Sequence, residues 1–450
     1  MSLRVSADSC VLSDTWGASR QRRAAVAIWL LGHVFATLAN PPAGMSQEPD
    51  ANARGFRRLT GRHVEFVTDL PAKQAIEELP QIFDAAIPQW CEFFDVAQDE
   101  VADWKANGHI MLDRKRFDTA GLIPQHLPPF PYGFQYGDDF WVVEQPSDYY
   151  RTHLALHEGT HWFMSRHYGN NAPPWVMEGL AELLGTHRWE QGELQLGVLP
   201  ADKKLFPYWG RISRIQQELD SGVAPALETV LQYDNTAHRR VEAYAWSWAA
   251  VLFMRSHPRT QAAFDEMLAQ PHRPDETQTR WLLNRLRQQW PRVRAEWRAF
   301  VSDLDYGYRV ESGLLQVSDR PTLIGTNPSQ IQVASDQSWQ ASNLYAKRGT
   351  RLRITAEGEF RVAAAEEPWK SRADGVTLEY FQGRPLGQLV VTFAAPERAT
   401  KLTKRITIIT VGSEAEIEVP VTGELHFRIN EASRDLVDNI GQLDVKIEAL

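Results

Sequence analysis

The sequence predicts an α+β chain in two parts, a mixed helix-and-strand region followed by a strand-only module. Three observations carry that expectation. Before about residue 305, several long segments show apolar residues at helical spacing, with short alternating runs among them. Past about residue 320 the texture changes to RLRITAEGEFRV, GVTLEYFQG, QLVVTF, RITIITV, AEIEVPV, ELHFRI and LDVKIEAL. Short β-rich runs split by turn residues are the pattern of an antiparallel sandwich. Finally, 450 residues with 43% hydrophobic and 23% charged side chains suit two or three globular cores, and no internal repeat is present.

In chain order, RQRR (20–23) precedes the apolar run AAVAIWLLGHVFATLA (24–39), which ends in small residues near Ala36 and Ala39. This reads as a secretory signal and linker over 1–44, so the mature chain is expected to be exported, periplasmic or extracellular. The run is short for a bilayer and broken by His33, so no stable membrane span is expected after signal removal. Residues 45–318 then form the first part and 319–450 the β-sandwich. RHVEFVTD, from about residue 60, reads as a strand, and 72–94 as a helix that Pro80 and Pro88 divide or kink. HIMLD (109–113) is a second strand, and PYGFQYGDDFWVVEQ (131–145) a hairpin at a sheet edge. A helix over 149–168 is stopped by PPW (173–175), and a second runs over 175–185. Further helices are expected at 209–220, 240–256, 259–269 and 275–304.

Composition excludes some functions. A net charge of −9 with scattered lysines and arginines argues against nucleic-acid binding. With only Cys10 and Cys91 there is neither a disulfide framework nor a cysteine metal site, and Cys91, inside apolar IPQWCEFF, is expected to be a buried thiol.

The chemistry concentrates in HLALHEGTHWF (153–163). On a helix His157 and His161 lie one turn apart on one face, where neutral imidazoles can reach one zinc ion. Glu158 stands beside them, placed to take a proton from water that a metal has acidified. The pentapeptide alone also fits a helix with core or solvated histidines, so the next helix decides. WVMEGLAELL carries Glu178 and Glu182 one turn apart amid Trp175, Val176, Leu180, Leu183 and Leu184. Acids on an inward apolar face are costly unless they meet a cation.

HEGTH followed by WVMEGLAE resembles the gluzincin metallopeptidases, the thermolysin and aminopeptidase N clan, and YYRTHLALHEGTH with PPWVMEGLAE is closest to its peptidase-MA-like members. The resemblance covers about residues 60 to 305. It implies a mixed sheet with an edge strand over the motif helix, His157, His161 and Glu178 as zinc ligands, Glu158 as general base, and a peptide or protein substrate. Glu182 would then hydrogen-bond the free N–H of His157. Tyr244, in VEAYAWSWAAVLF, lies where the aminopeptidase N branch has an oxyanion-stabilising tyrosine; a core aromatic is the equal alternative. His153, one turn before His157, could be a fourth metal contact but reads rather as a residue behind or at the rim of the site. GFQYG could pair with a peptide backbone. It carries no clear acid to anchor a substrate amine, which favours an endopeptidase or an unusual substrate.

The closing run GELHFRINEASRDLVDNIGQLDVKIE, with GVTLEYFQGRPLGQLVV, resembles the PA-IL-like galactophilic lectin sandwich, whose terminal loop holds calcium against a sugar. Asn430, Asp435, Asp438 and Asn439 are oxygen donors in the matching region, suited to Ca2+. Arg434, Leu436 and Val437 depart from that loop, and a plain β module with Asn/Asp turns is the alternative. The expectation is therefore an exported zinc metallopeptidase with a lectin-like module that takes glycan. The alternative is a secreted carbohydrate- or surface-binding protein with an inactive zinc site. Because every zinc motif precedes residue 318, a chain ending there is expected to fold and bind metal.

Overall fold

A strand pair, β1 (Arg57–Thr60) with β2 (Val64–Thr68), opens the described part of the chain. The computed structural model describes residues 55–450 except 170–171, 237–239, 271–274, 363–368, 396–400 and 403. The expected signal over 20–39 and Cys10 lie outside these residues. A short helix α1 (Gln74–Glu77) and then α2 (Leu79–Phe94) follow, parted at Glu78, so Pro80 falls in the first turn where its missing N–H costs nothing. Pro88 sits inside α2, which continues to Asp95 at φ 55°. Next come β3 (Ala106–Met111), α3 (Arg114–Thr119), β4 (Gly133–Tyr136) and β5 (Asp139–Val143). The sheet order is β1-β2-β3-β5-β4, with β2, β3 and β5 parallel and β4 antiparallel to β5 at the edge. The expected hairpin is therefore present, and it places GFQY at the border of a mixed sheet.

The motif helix α4 (Asp148–Tyr168) packs beneath this sheet. Ser147 caps it by accepting from the Tyr150 N–H at 3.1 Å, and Gly169 at φ 62° ends it. Pro173 and Pro174 open α5 (Pro174–Gly185). The sequence reading missed the hairpin β6 (His187–Glu190) and β7 (Glu193–Leu196), whose turn is Gln191–Gly192 with both φ positive. Then come α6 (Arg211–Asp220), α7 (Leu227–Val230), α8 (Val241–Ser256) and α9 (Gln261–Leu268). The segment expected as one helix over 275–304 is two, α10 (Asp275–Arg285) and α11 (Trp290–Asp303), because Pro291 restarts the helix in a fresh first turn. A last turn, α12 (Val310–Gly313), precedes the sandwich.

One large apolar core unites α2, α4, α5, α8 and α11 through Phe83, Trp90, Trp162, Trp175, Trp246, Trp248 and Trp297. Cys91 is buried within it, as its apolar flanks imply. A second core, from Val333 to Ile447, fills the sandwich. One sandwich sheet is built on Ile440–Ala449, which pairs with Ser329–Ala334, Arg351–Glu357 and Phe360–Val362. The other runs Ile408–Thr410, Leu389–Ala394, Gly423–Ile429, Gln340–Ala346 and Thr322–Leu323. Its last pair is parallel; the pairings within the two sheets are otherwise antiparallel. All of this belongs to one compact unit, Asp50–Leu450. Its seam is substantial: buried Arg428 and Trp339 both donate to Asp303, at 2.9 and 2.5 Å, and the Ser318 N–H donates to Glu424 at 2.8 Å. Lys401–Leu402 also pairs with Ala224–Pro225, carrying Leu402 into the large core. No helix among the described residues is long and apolar enough to cross a membrane.

Candidate metal centre

Helix α4 presents His153, His157 and His161 along one face, and α5 lies across it with Glu178 and Glu182 turned inward. The two helices reach this closeness through α8. A Cβ on Gly179 would stand 2.4 Å from Val251 Cγ2 and 2.5 Å from the Ser247 carbonyl oxygen, so only glycine lets α5 seat there.

His157 Nε2 and His161 Nε2 are 3.1 Å apart, and Glu178 Oε2 lies 3.6 and 3.5 Å from them. Tetrahedral ligands about 2.0–2.1 Å from one zinc ion lie roughly 3.3–3.4 Å from each other. The triangle fits that spacing. Glu178 Oε2 is a buried oxygen without a hydrogen-bond partner, facing two imidazole nitrogens that face each other. Burial would raise the Glu178 carboxyl, but His161 and His157 draw it down to about 2. These three residues could hold a metal ion.

A second group, His153, His157 and Glu182, could also hold one. Glu182 is buried, 3.5 Å from His157 Nδ1 and 3.5 Å from His153 Nε2. Both its oxygens are engaged by Arg211, whose Nε and Nη2 donate at 3.0 and 2.7 Å. Despite burial, Arg211 and His153 hold the Glu182 carboxyl well below the usual range. His153 is fully buried against the Tyr150 ring, so it lies behind the site and not at its rim. Arg211 escaped the sequence reading entirely. It opens a polar helix after Gly210, and nothing local marks it as the partner of an acid on another helix.

Glu158 lies against the edge strand. A Cβ on Gly133, the first residue of β4, would fall 2.2 Å from Glu158 Oε1, so the strand can touch the carboxylate only because that position is glycine. Among the described residues no side chain or backbone group donates to Glu158. Burial pushes it up to about 8, His161 opposes this, and Glu178 and Glu182 add to it. Tyr244 on α8 sits with its ring 5.9 Å from that of His157 and 5.7 Å from the Arg211 guanidinium carbon. Burial, then Glu178, Glu158 and Glu182, raise its hydroxyl and keep it a donor. The ring thus lies next to His157 and Arg211 and is not among the buried residues of the apolar core.

In the sandwich, Asn430 is buried and donates to the Phe381, Arg384 and Pro385 carbonyls at 3.0, 3.2 and 3.0 Å. Asn439 donates to Ser335 O at 3.1 Å and to Glu431 at 2.5 Å. The Oδ1 atoms of both asparagines are buried without partners. Glu431, which the sequence reading passed over, is pushed up to about 7, first by burial and then by Asp435, Asp438 and Glu379, against the Asn439 bond. Glu431, Asp435 and Asp438 line a cleft of about 590 Å3 whose other wall includes Asp202, Lys203 and Tyr306. The acids line one cleft; the two asparagines spend their amide N–H groups on the fold.

No protein family and no curated protein matches the sequence. Among solved structures, the chain is similar in part to the EclA N-terminal domain, a PllA-like lectin, at 17% identity and TM-score 0.21, over 27% of this chain and 95% of that one. It is also similar in part to Aeromonas hydrophila PliG, a periplasmic lysozyme inhibitor of g-type lysozyme, at 8% identity and TM-score 0.16, over 29% and 96%. At these scores neither likeness bears on what the chain does.

Proposed function

We propose that this chain is a zinc-dependent peptidase, read from the triangle of His157 Nε2, His161 Nε2 and Glu178 Oε2 with a carboxylate beside it that no group among the described residues donates to. These three residues would hold the ion. The inner group is set aside because Arg211 already neutralises its carboxylate; a unit charge 4 Å away repels another by about 4 kcal/mol at an effective dielectric of 20, and a dication by twice that. Zinc bound there would supply a Lewis acid that acidifies water and polarises a carbonyl. Glu158 takes the proton of the attacking water and delivers it to the leaving amine nitrogen. The Tyr244 hydroxyl donates to the carbonyl oxygen as it gains charge. Strand β4 offers its edge to an extended peptide, and Gly133 brings that edge up to Glu158. In this reading residues 20–39 are the leader that exports the chain.

The first prediction tests this directly. Glu158→Gln in the full chain should keep one zinc and lose hydrolysis of a mixed peptide library, because it removes the base and no ligand. Unchanged turnover in that metal-loaded variant would sink the mechanism.

A second reading concerns the sandwich, where Asn439, whose buried Oδ1 has no partner among the described residues, donates to Glu431, and Asp435 and Asp438 act on that carboxyl. That oxygen set suits Ca2+, and the loop would present the ion to a glycan. Calcium calorimetry and a glycan array, run with and without chelator, test it; glycan binding without any hydrolysis would instead favour a binding protein with an inactive metal site.

A further inference from the structure

The two histidine-carboxylate groups share His157 and are almost equally spaced, yet one side chain separates them in character. His153 Nε2 and His157 Nδ1 each lie 3.5 Å from a Glu182 oxygen, as close as the outer group's nitrogens lie to Glu178. His153 is fully buried, and neither of its ring nitrogens has a hydrogen-bond partner. An imidazole unsatisfied at both nitrogens is expensive to bury, and it faces the same carboxylate as His157 Nδ1. Arg211 sets this group apart from the outer one. It grips both Glu182 oxygens and is itself held by the Tyr150 hydroxyl at 3.2 Å.

We propose that Arg211 selects the metal site: its guanidinium stands in for a cation on Glu182, keeps His153–His157–Glu182 a latent metal group, and commits the ion to His161 and Glu178. The inference rests on the zinc reading of the outer group and adds a positioning residue to it. With Glu182 paired, its Oε1 lies 3.5 Å from His157 Nδ1, behind the ring whose Nε2 faces His161 and Glu178. Were Arg211 neutral, Glu182 would be a buried carboxylate lacking a cation, with two imidazoles in reach.

The test is a gain of binding, read in the full chain with zinc alone and with cobalt absorption. The native chain should bind one zinc, and His161→Ala should lose it. Adding Arg211→Gln to His161→Ala should restore one metal, bound about 100-fold more tightly than by His161→Ala alone, with a cobalt spectrum unlike the native one. Arg211→Lys in the same background keeps the charge and should restore nothing. Further addition of Glu182→Gln should abolish the regained site. Where Arg211→Gln does not fold, Arg211→Met carries the same expectation. A folded Arg211→Gln/His161→Ala chain that binds no metal, while the native chain binds one, overturns the selector role. A native chain that binds none overturns the zinc reading itself.

Discussion

Arg211 changes what two neighbouring acids are expected to do when altered. From sequence, Glu178→Gln should nearly eliminate zinc binding and Glu182→Gln should weaken it by about 10–100-fold. The geometry keeps that order and adds a cost. Glu182→Gln leaves a buried guanidinium without its counter-charge, which destabilises by roughly 3–5 kcal/mol. Glu178→Gln leaves no such orphan. Zinc titration and urea melts should therefore rank the two variants oppositely: Glu178→Gln worse for metal, Glu182→Gln worse for the fold. Equal melts for both would refute the pairing with Arg211. The histidines and glutamates were legible because one turn of helix dictates their proximity. Arg211 was not, since its pairing across 29 residues arises only when α6 packs on α8 and brings its first residue to Glu182 of α5.

At the level of elements, the glycine of EGLAE shows how a motif letter sets a helix distance. Gly179→Ala would press a methyl against a backbone carbonyl that cannot rotate away. Overpacking of this kind costs about 1–3 kcal/mol, and any shift of α5 off α8 carries Glu178 away from the histidines. Zinc affinity should fall together with stability in this variant, measured by the same titration and melts. The hairpin after α5 supplies a pH dependence. His187, stacked on Tyr149, is depressed to about 4, chiefly by burial. A depressed histidine favours its neutral form in the fold, so its share of stability is whole above about 6.5 and is lost as pH falls through about 4. That share is about 3 kcal/mol. His187→Asn should flatten the acid limb of a stability-against-pH curve; an unchanged limb would reject the assignment. This hairpin went unread because THRWEQGELQLG alternates over only four residues per strand, with Gln-Gly doing the work of the usual Asn-Gly turn. Helices such as α4, α5 and α8 were legible because burial on one face repeats over several turns.

For the whole molecule, the change of texture near residue 320 correctly announced a sandwich, but it carried no information about the seam. Asp303, Arg428, Trp339 and Leu402 come from distant segments, and only folding juxtaposes them. A chain ending at 318 was expected to fold and hold zinc by itself. With the seam in view, it should retain the metal residues yet unfold at lower denaturant, since losing a leucine from a core costs about 2–5 kcal/mol. Leu402→Ala in the full chain should reproduce much of that loss. Should the shortened chain melt at the same urea concentration as the whole, the seam contributes nothing.

The strand lent by residues 401–402 also sets a schedule. Every side chain of the candidate metal centre has been synthesised by residue 244, but the core beneath it stays incomplete until Leu402 emerges. At roughly 5–20 residues per second that interval lasts on the order of 10 s. Whatever escorts the chain at that moment, ribosome, chaperone or translocation machinery, meets a body whose last stone arrives from the far end of the sequence.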